Sequence, residues 1–178
     1  MKLDEFNSLD NDERLSCLLG CCNCLGWAGR LAKCAPFSDL ESLLREAALI
    51  WGAAGEEEIL EAFSGHPQIG DLEALRNRYA ERAHAEQGQV LSAPDETLAE
   101  LKDMNEAYLE RHGFIFIVCA SGKSAGEMLE MVKARLPNSR AAELANGSRE
   151  QGAIMTLRLK QLIEETKDGK YKVSKLGK

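Results

Sequence analysis

Ser38-Asp39-Leu40-Glu41-Ser42-Leu43-Leu44-Arg45-Glu46-Ala47-Ala48-Leu49-Ile50-Trp51 carries two helix signals at once. Ser38 and Glu41 have capping-box spacing, in which a side chain at each end of a tetrapeptide satisfies a backbone N–H of the other. Leu40, Leu43, Leu44, Ala47 and Trp51 then recur at three- and four-residue steps, so they share one face of a 3.6-residue period. Gly52 and Gly55 close the segment. The same period extends outward in both directions. Before the break at Pro36, Leu15, Leu18, Leu19 and Cys22 follow Asn11 and Asp12, either of which can cap a helix. After Gly55, Ile59, Leu60 and Phe63 supply a short helix. Residues 64–71 form a polar loop with two glycines and a proline. Leu72, Leu75, Tyr79 and Ala83 mark a helix running through Gln87. Pro94 and Asp95 open another, with Leu98, Leu101, Tyr108 and Leu109 on its buried side and Gly113 at its end. Ser124 with Glu127 opens a helix that ends before Pro137, and Ser139 starts a last long one through about Thr166.

Phe114-Ile115-Phe116-Ile117-Val118-Cys119-Ala120 is the exception. This continuous apolar run is rich in aromatic and β-branched residues and short for a helix, so it reads as a buried extended segment. No second strand-like run exists to pair with it. Its backbone polar groups therefore need other partners, and a ligand could be one of them. The expected fold is all-α: a single compact helical domain of about seven to eight helices over residues 1–166, with one short extended segment at 114–120. Residues 167–178 are polar and lysine-rich and read as a flexible tail.

Composition bounds the function. The 178 residues suffice for a hydrophobic core without staples. Net charge is −7, from 22 basic and 29 acidic residues, and the basic residues are spread rather than clustered. Neither nucleic acid nor an anionic membrane surface is an expected partner. No apolar run approaches the roughly 20 residues of a membrane span. Met1-Lys2-Leu3-Asp4-Glu5 does not read as a signal peptide, and Lys175-Leu176-Gly177-Lys178 is not a Ser-Lys-Leu peroxisomal address. Six cysteines are present, five of them between Cys17 and Cys34. Cys21 and Cys24 have C-x-x-C spacing, but a structural zinc needs a second pair of ligands. Small apolar side chains buried in a helix of a reduced protein are the favoured reading over metal or redox chemistry.

The three histidines are His66, His84 and His112. His66, between Gly65 and Pro67, sits in a rigid loop that could present an imidazole to a pocket. From chemistry alone, a loop histidine bonded to nearby backbone is the plainer reading. His84 points away from Glu86 on a helix, and His112 before Gly113 reads as structural. Glu86 and Arg158 read as solvated helix charges, and no catalytic triad, P-loop or glycine-rich nucleotide signature is present.

The ordered motifs go further. Leu60-Glu61-Ala62-Phe63-Ser64-Gly65-His66-Pro67-Gln68-Ile69-Gly70 resembles a His-Pro-x-Leu/Ile-Gly signature. Glu86-Gln87 stands where Ser-x-x-Glu-Gln closes. Asn105-Glu106-Ala107-Tyr108 and Arg111-His112-Gly113-Phe114-Ile115-Phe116-Ile117-Val118 resemble Asn-x-x-Tyr-x-x-Arg-Phe-Gly-Phe-x-Phe-Ile-Val. Arg135-Leu136-Pro137-Asn138, Glu143-Leu144 and Ile154-Met155-Thr156-Leu157-Arg158-Leu159 complete the set. Together, from about Leu9 to Ile163, they resemble the 2-oxo-4-hydroxy-4-carboxy-5-ureidoimidazoline (OHCU) decarboxylase family, and the run from Ile115 to Gly122 is closest to plant-like members.

That resemblance implies a carboxy-lyase of urate and purine breakdown that forms (S)-allantoin without metal or organic cofactor. It implies a small-molecule substrate, a homodimer, and a cytoplasmic or peroxisomal site of action. It also implies roles. His66 corresponds to the catalytic histidine and Glu86 to its partner carboxylate. Pro67, Ala83, Gln87, the backbone of Phe116, Ile117, Val118, Cys119 and Ala120, and Arg158 correspond to substrate-binding positions. Ala83 replaces the family's serine, so one hydroxyl contact is missing. Ser148-Arg149-Glu150-Gln151 looks like a second copy of Ser-x-x-Glu-Gln, but has one residue too many between Ser and Gln to be read with confidence as that motif's partner, lies in the last helix, and is assigned no catalytic role. Two rivals are a β-rich transthyretin-like hydroxyisourate hydrolase and a catalytically impaired helical binding or regulatory module.

Overall fold

The structure, a computed structural model, describes residues 1–67 and 94–164. The described residues form eight helices and no strand: α1 (Leu3–Ser8), α2 (Asn11–Cys21), α3 (Leu25–Ala32), α4 (Leu40–Gly52), α5 (Glu56–Ser64), α6 (Asp95–His112), α7 (Ala125–Arg135) and α8 (Arg140–Leu162). The all-α expectation is met, and the β-rich rival finds no support in these elements. The expected helix from Leu72 to Gln87 and the expected tail at 167–178 lie outside the described residues. Among the described residues, no helix is long and apolar enough to cross a membrane.

The chain divides into two compact units, Met1–Glu58 with Gly152–Lys178, and Ile59–Gln151. In the first unit, α4 buries Leu40, Leu43, Ala47 and Trp51, four of the five residues expected on its inner face. Asp39 rather than Ser38 caps it, its carboxylate accepting the Ser42 N–H at 2.7 Å. The cap of α2 is likewise one residue earlier than expected. Asp10 accepts from the Glu13 N–H at 2.8 Å, and the Glu13 carboxylate accepts the Asp10 N–H at 3.1 Å. Two donors are satisfied reciprocally, which neither Asn11 nor Asp12 could do with a glutamate three residues on.

Two helices of this unit have weak sequence signals. Only six residues form α1, and α3 starts at Cys24 without a side-chain cap. Burial holds α3 instead: Trp27, Ala28, Leu31 and Ala32 are all buried, and the Trp27 indole donates to the Ala47 carbonyl of α4 at 3.1 Å. Arg14 of α2 donates to the Leu9, Ala32 and Asn7 carbonyls at 2.7, 2.9 and 3.1 Å, taking up chain ends that helices leave without partners. The six cysteines are free, with Cys21, Cys22 and Cys24 buried and Cys34 exposed. Burial pushes the Cys21 thiol up to about 11, against the opposing charge of Arg158. A thiol held protonated is a packing group rather than a nucleophile.

In the second unit, α6 buries Leu98, Leu101, Tyr108 and His112 and ends at Gly113, whose φ of 78° is open to glycine at little cost. Gly122, at φ 72°, turns the chain again before Ser124 caps α7 by accepting the Glu127 N–H at 3.1 Å. Between these two left-handed glycines runs the extended segment. The Ser139 hydroxyl accepts the Ala142 N–H at 3.1 Å, starting α8 where the sequence places it.

Candidate active site

His66 stands one step past the C-terminus of α5. The Gly65 and His66 N–H groups donate to the Ala62 and Phe63 carbonyls at 3.2 and 3.1 Å, tightening the last turn. Pro67 follows, and its ring and missing N–H prevent the helix from continuing. The imidazole is half-buried. Its Nε2 lies 2.6 Å from Oε1 of Gln151 on α8. Gln151 is 1% exposed, and its amide nitrogen has no hydrogen-bond partner.

The floor under this loop is aromatic. Phe63, the residue on which the His66 turn closes, is buried, with its ring centroid 5.5 Å from that of Phe114. Gly147 of α8 admits the ring from the other side: a Cβ there would stand 2.7 Å from Phe63 Cζ. Glycine is required here by close approach rather than by backbone conformation.

The segment after Phe114 is held by side chains of three neighbouring stretches. The Arg135 guanidinium donates to the Ile117 carbonyl at 2.8 Å and lies 4.6 Å over the Phe116 ring. Lys123 Nζ donates to the Cys119 carbonyl at 2.8 Å, and the Cys119 N–H donates to the Glu150 carboxylate at 3.3 Å. Among the described residues, the N–H groups of Phe116, Ile117, Val118 and Ala120 have no acceptor. A row of unclaimed backbone donors beside an apolar wall suits a ligand rich in carbonyl oxygen.

A buried carboxylate anchors that arrangement. Glu143 is fully buried and accepts from Tyr108 Oη at 2.7 Å, Arg135 Nε at 2.7 Å, Asn146 Nδ2 at 2.7 Å and Asn138 Nδ2 at 3.0 Å. Burial alone would raise its pKa; the bonds from Asn138, Tyr108, Asn146 and Arg135 together outweigh burial and hold the carboxyl below its ordinary range. Burial and the hydrogen bond to Glu143 push the Tyr108 phenol up.

Residues 7–160 match the family described as OHCU decarboxylase. The chain belongs to that family. The uric acid degradation bifunctional protein TTL of Arabidopsis thaliana is 32% identical over 148 residues, covering 82% of this chain and 46% of that protein. This chain thus spans about half the length of that plant relative. The 2-oxo-4-hydroxy-4-carboxy-5-ureidoimidazoline decarboxylase of Amia calva is 31% identical over 145 residues, covering 78% of this chain and 77% of that one. A crystal structure of OHCU decarboxylase in the presence of (S)-allantoin superposes with a TM-score of 0.70 at 32% identity, covering 83% of this chain and 96% of that one.

Within this OHCU decarboxylase-family chain, the second unit brings together His66, Pro67 and the 116–120 segment, three of the expected site elements. Glu86, Ala83 and Gln87, along with His84, lie outside the described residues. Arg158 belongs to the first unit, near enough to Cys21 for its charge to lower that thiol's pKa. His112 is buried, 4.4 Å from the Tyr108 ring, with Nε2 bonded to the Leu136 carbonyl at 3.1 Å. The sequence reading missed Glu150 and Gln151. Glu150 and Gln151 bond the Cys119 amide and the His66 ring respectively, so the stretch set aside as a second Ser-x-x-Glu-Gln supports both halves of the site. The signal available was that helical period: Glu143, Gly147 and Gln151 fall four residues apart on the face that is buried.

Proposed function

We propose that this protein is a carboxy-lyase converting OHCU to (S)-allantoin in urate and purine catabolism, with His66 as the acid–base group. The observation that carries the reading is the half-buried imidazole of His66, fixed at 2.6 Å by a buried amide within the family's motif. Cleavage of the bond to the carboxylate releases CO2 and leaves its electron pair on the ring carbon. The imidazoline ring delocalises that pair, so the step needs no metal or organic cofactor. His66 takes the hydroxyl or ring proton and returns one to carbon, a task suited to a group that titrates near neutrality. Delivery from one fixed side gives a single enantiomer.

Glu86 is assigned as the carboxylate that works with His66, and Pro67 as the residue that stiffens its loop. Ala83, Gln87, the backbone of Phe116, Ile117, Val118, Cys119 and Ala120, and Arg158 are assigned to substrate binding. The unclaimed N–H groups of the extended segment support that assignment, although the Cys119 N–H is already bonded to Glu150. Arg158 would offer a planar fork to a carboxylate or ring carbonyl. A homodimer and a cytoplasmic or peroxisomal location complete the proposal.

The test is His66→Asn, assayed on freshly generated OHCU by absorbance, with the chirality of the product read by circular dichroism. Asparagine keeps a polar planar side chain but cannot exchange a proton near neutrality. Turnover should fall roughly 10²–10⁴-fold, with the melting temperature little changed. His112→Asn is not a neutral control, because His112 is buried; His84→Asn is, and it should stay near wild type. A His66→Asn enzyme with ordinary turnover, or a wild-type protein that leaves the substrate untouched, overturns the assignment.

A further inference from the structure

Gln151 is an unusual buried residue. It is 1% exposed, and the one hydrogen bond its side chain makes among the described residues is to His66. The other end of the amide, Nε2, is buried and unpartnered. A glutamine retained for folding would have both ends satisfied, as buried polar groups in folded proteins nearly always are. Here the chain keeps an unsatisfied amide where methionine or leucine would pack without penalty. The benefit falls on the His66 ring.

We propose that Gln151 is a positioning residue of the reaction, and that its Oε1 holds His66 as the Nε2–H tautomer. An amide oxygen carries no proton, so the hydrogen in the 2.6 Å contact belongs to the imidazole. A neutral imidazole has one N–H. With Nε2 protonated, the lone pair sits on Nδ1, and the exchanged proton is the one on Nδ1. The contact to Oε1 survives in both the neutral and the cationic ring, so the ring need not rotate between taking up a proton and giving it back. Gln151 and the neighbouring Glu150 follow each other on α8, so one turn of helix sets both the ring and the Cys119 end of the extended segment.

The proposal rests on the decarboxylase reading for its kinetic consequence, but not for its spectroscopic one. Nitrogen-15 correlation spectra of the histidine rings, at a pH where they are neutral, distinguish Nε2–H from Nδ1–H directly; His66→Asn identifies the His66 signals. The wild-type protein should show His66 as Nε2–H. Gln151→Met, which matches the length and fills the volume, should lose that preference while melting no lower than wild type. Its kcat should fall roughly 10–100-fold, as when a partner that orients a functional histidine is removed, with KM changed far less. Gln151→Glu restores an acceptor oxygen at the same reach and should restore the Nε2–H signature. An Nδ1–H ring in the wild-type protein overturns the proposal, and so does a Gln151→Met protein with wild-type ring signals and kcat. If no variant turns over OHCU, the reading of the reaction fails while the ring spectra still decide the role of Gln151.

Discussion

Glu143 shows how far one side chain can organise its surroundings. Its carboxylate takes hydrogen bonds from α6 through Tyr108, from α7 through Arg135, from the following turn through Asn138 and from its own helix through Asn146. Through Arg135 the effect reaches the Ile117 carbonyl. Isolated ion pairs at the surface contribute little, but this one is enclosed: the Arg135 side chain is 12% exposed and that of Glu143 not at all. Taking the charge from one partner leaves the other buried without compensation, which typically costs about 3–5 kcal/mol. Glu143→Gln should therefore destabilise the protein by roughly that amount in urea denaturation, and should loosen the extended segment that Arg135 holds. A loss below about 1 kcal/mol would mean that the hydrogen bonds, not the charge, carry the interaction.

At the scale of elements, the turn bearing His66 depends on how α5 meets α8. Phe63 is buried between the Phe114 ring and Gly147, so its ring has little room to yield. Alanine has a helix propensity about 1 kcal/mol better than glycine, yet overpacking a filled core costs about 1–3 kcal/mol. Gly147→Ala should be net destabilising, and because Phe63 closes the His66 turn it should lower kcat as well. A variant at least as stable as wild type would show that the ring can move aside. Helix starts with a capping side chain were legible in the sequence, as at Ser124 and Ser139, and so was the glycine stop at Gly113. The start of α3 was not, because Cys24 makes no side-chain cap and the helix is held by burying Trp27 and Leu31. The extended segment was legible from its unbroken β-branched and aromatic run. Its real partners were not, because Arg135, Lys123 and Glu150 look in sequence like ordinary helix charges. Gln151 was misread for the same reason: a side chain's neighbours across the fold leave no mark in its local pattern.

At the scale of the whole molecule, acid should act through Glu143. Its folded-state pKa lies below the ordinary carboxylate value of 4.5. The stability it contributes is therefore fully present above that value and is lost as pH falls through the lower, folded one. The difference in unfolding free energy between wild type and Glu143→Gln should shrink steadily as pH is lowered below about 4.5. A difference that stays constant across that range would show that Glu143 is not the group titrating. Helical class and family were readable because they are written many times over, in the repeated period and in motifs strung along most of the chain. The arrangement of the site is written only once, in contacts between segments far apart in sequence.

The buried stripe of α8 runs Glu143, Gly147, Gln151, Met155, Leu159 and Ile163, always four residues apart, though the last lies just past the helix end. Its first half holds polar and small groups that serve the site; its second half is apolar. Such a helix can accept exchange of letters but not a change of count. Removing one residue between Gln151 and Met155 would turn everything downstream by about 100° and shorten it by about 1.5 Å, so one half of the stripe could keep its surroundings only if the other lost them. Variation in chain length across relatives should accordingly be confined to the connections, with the stretch from Glu143 to Leu159 invariant in number even where few of its residues are shared.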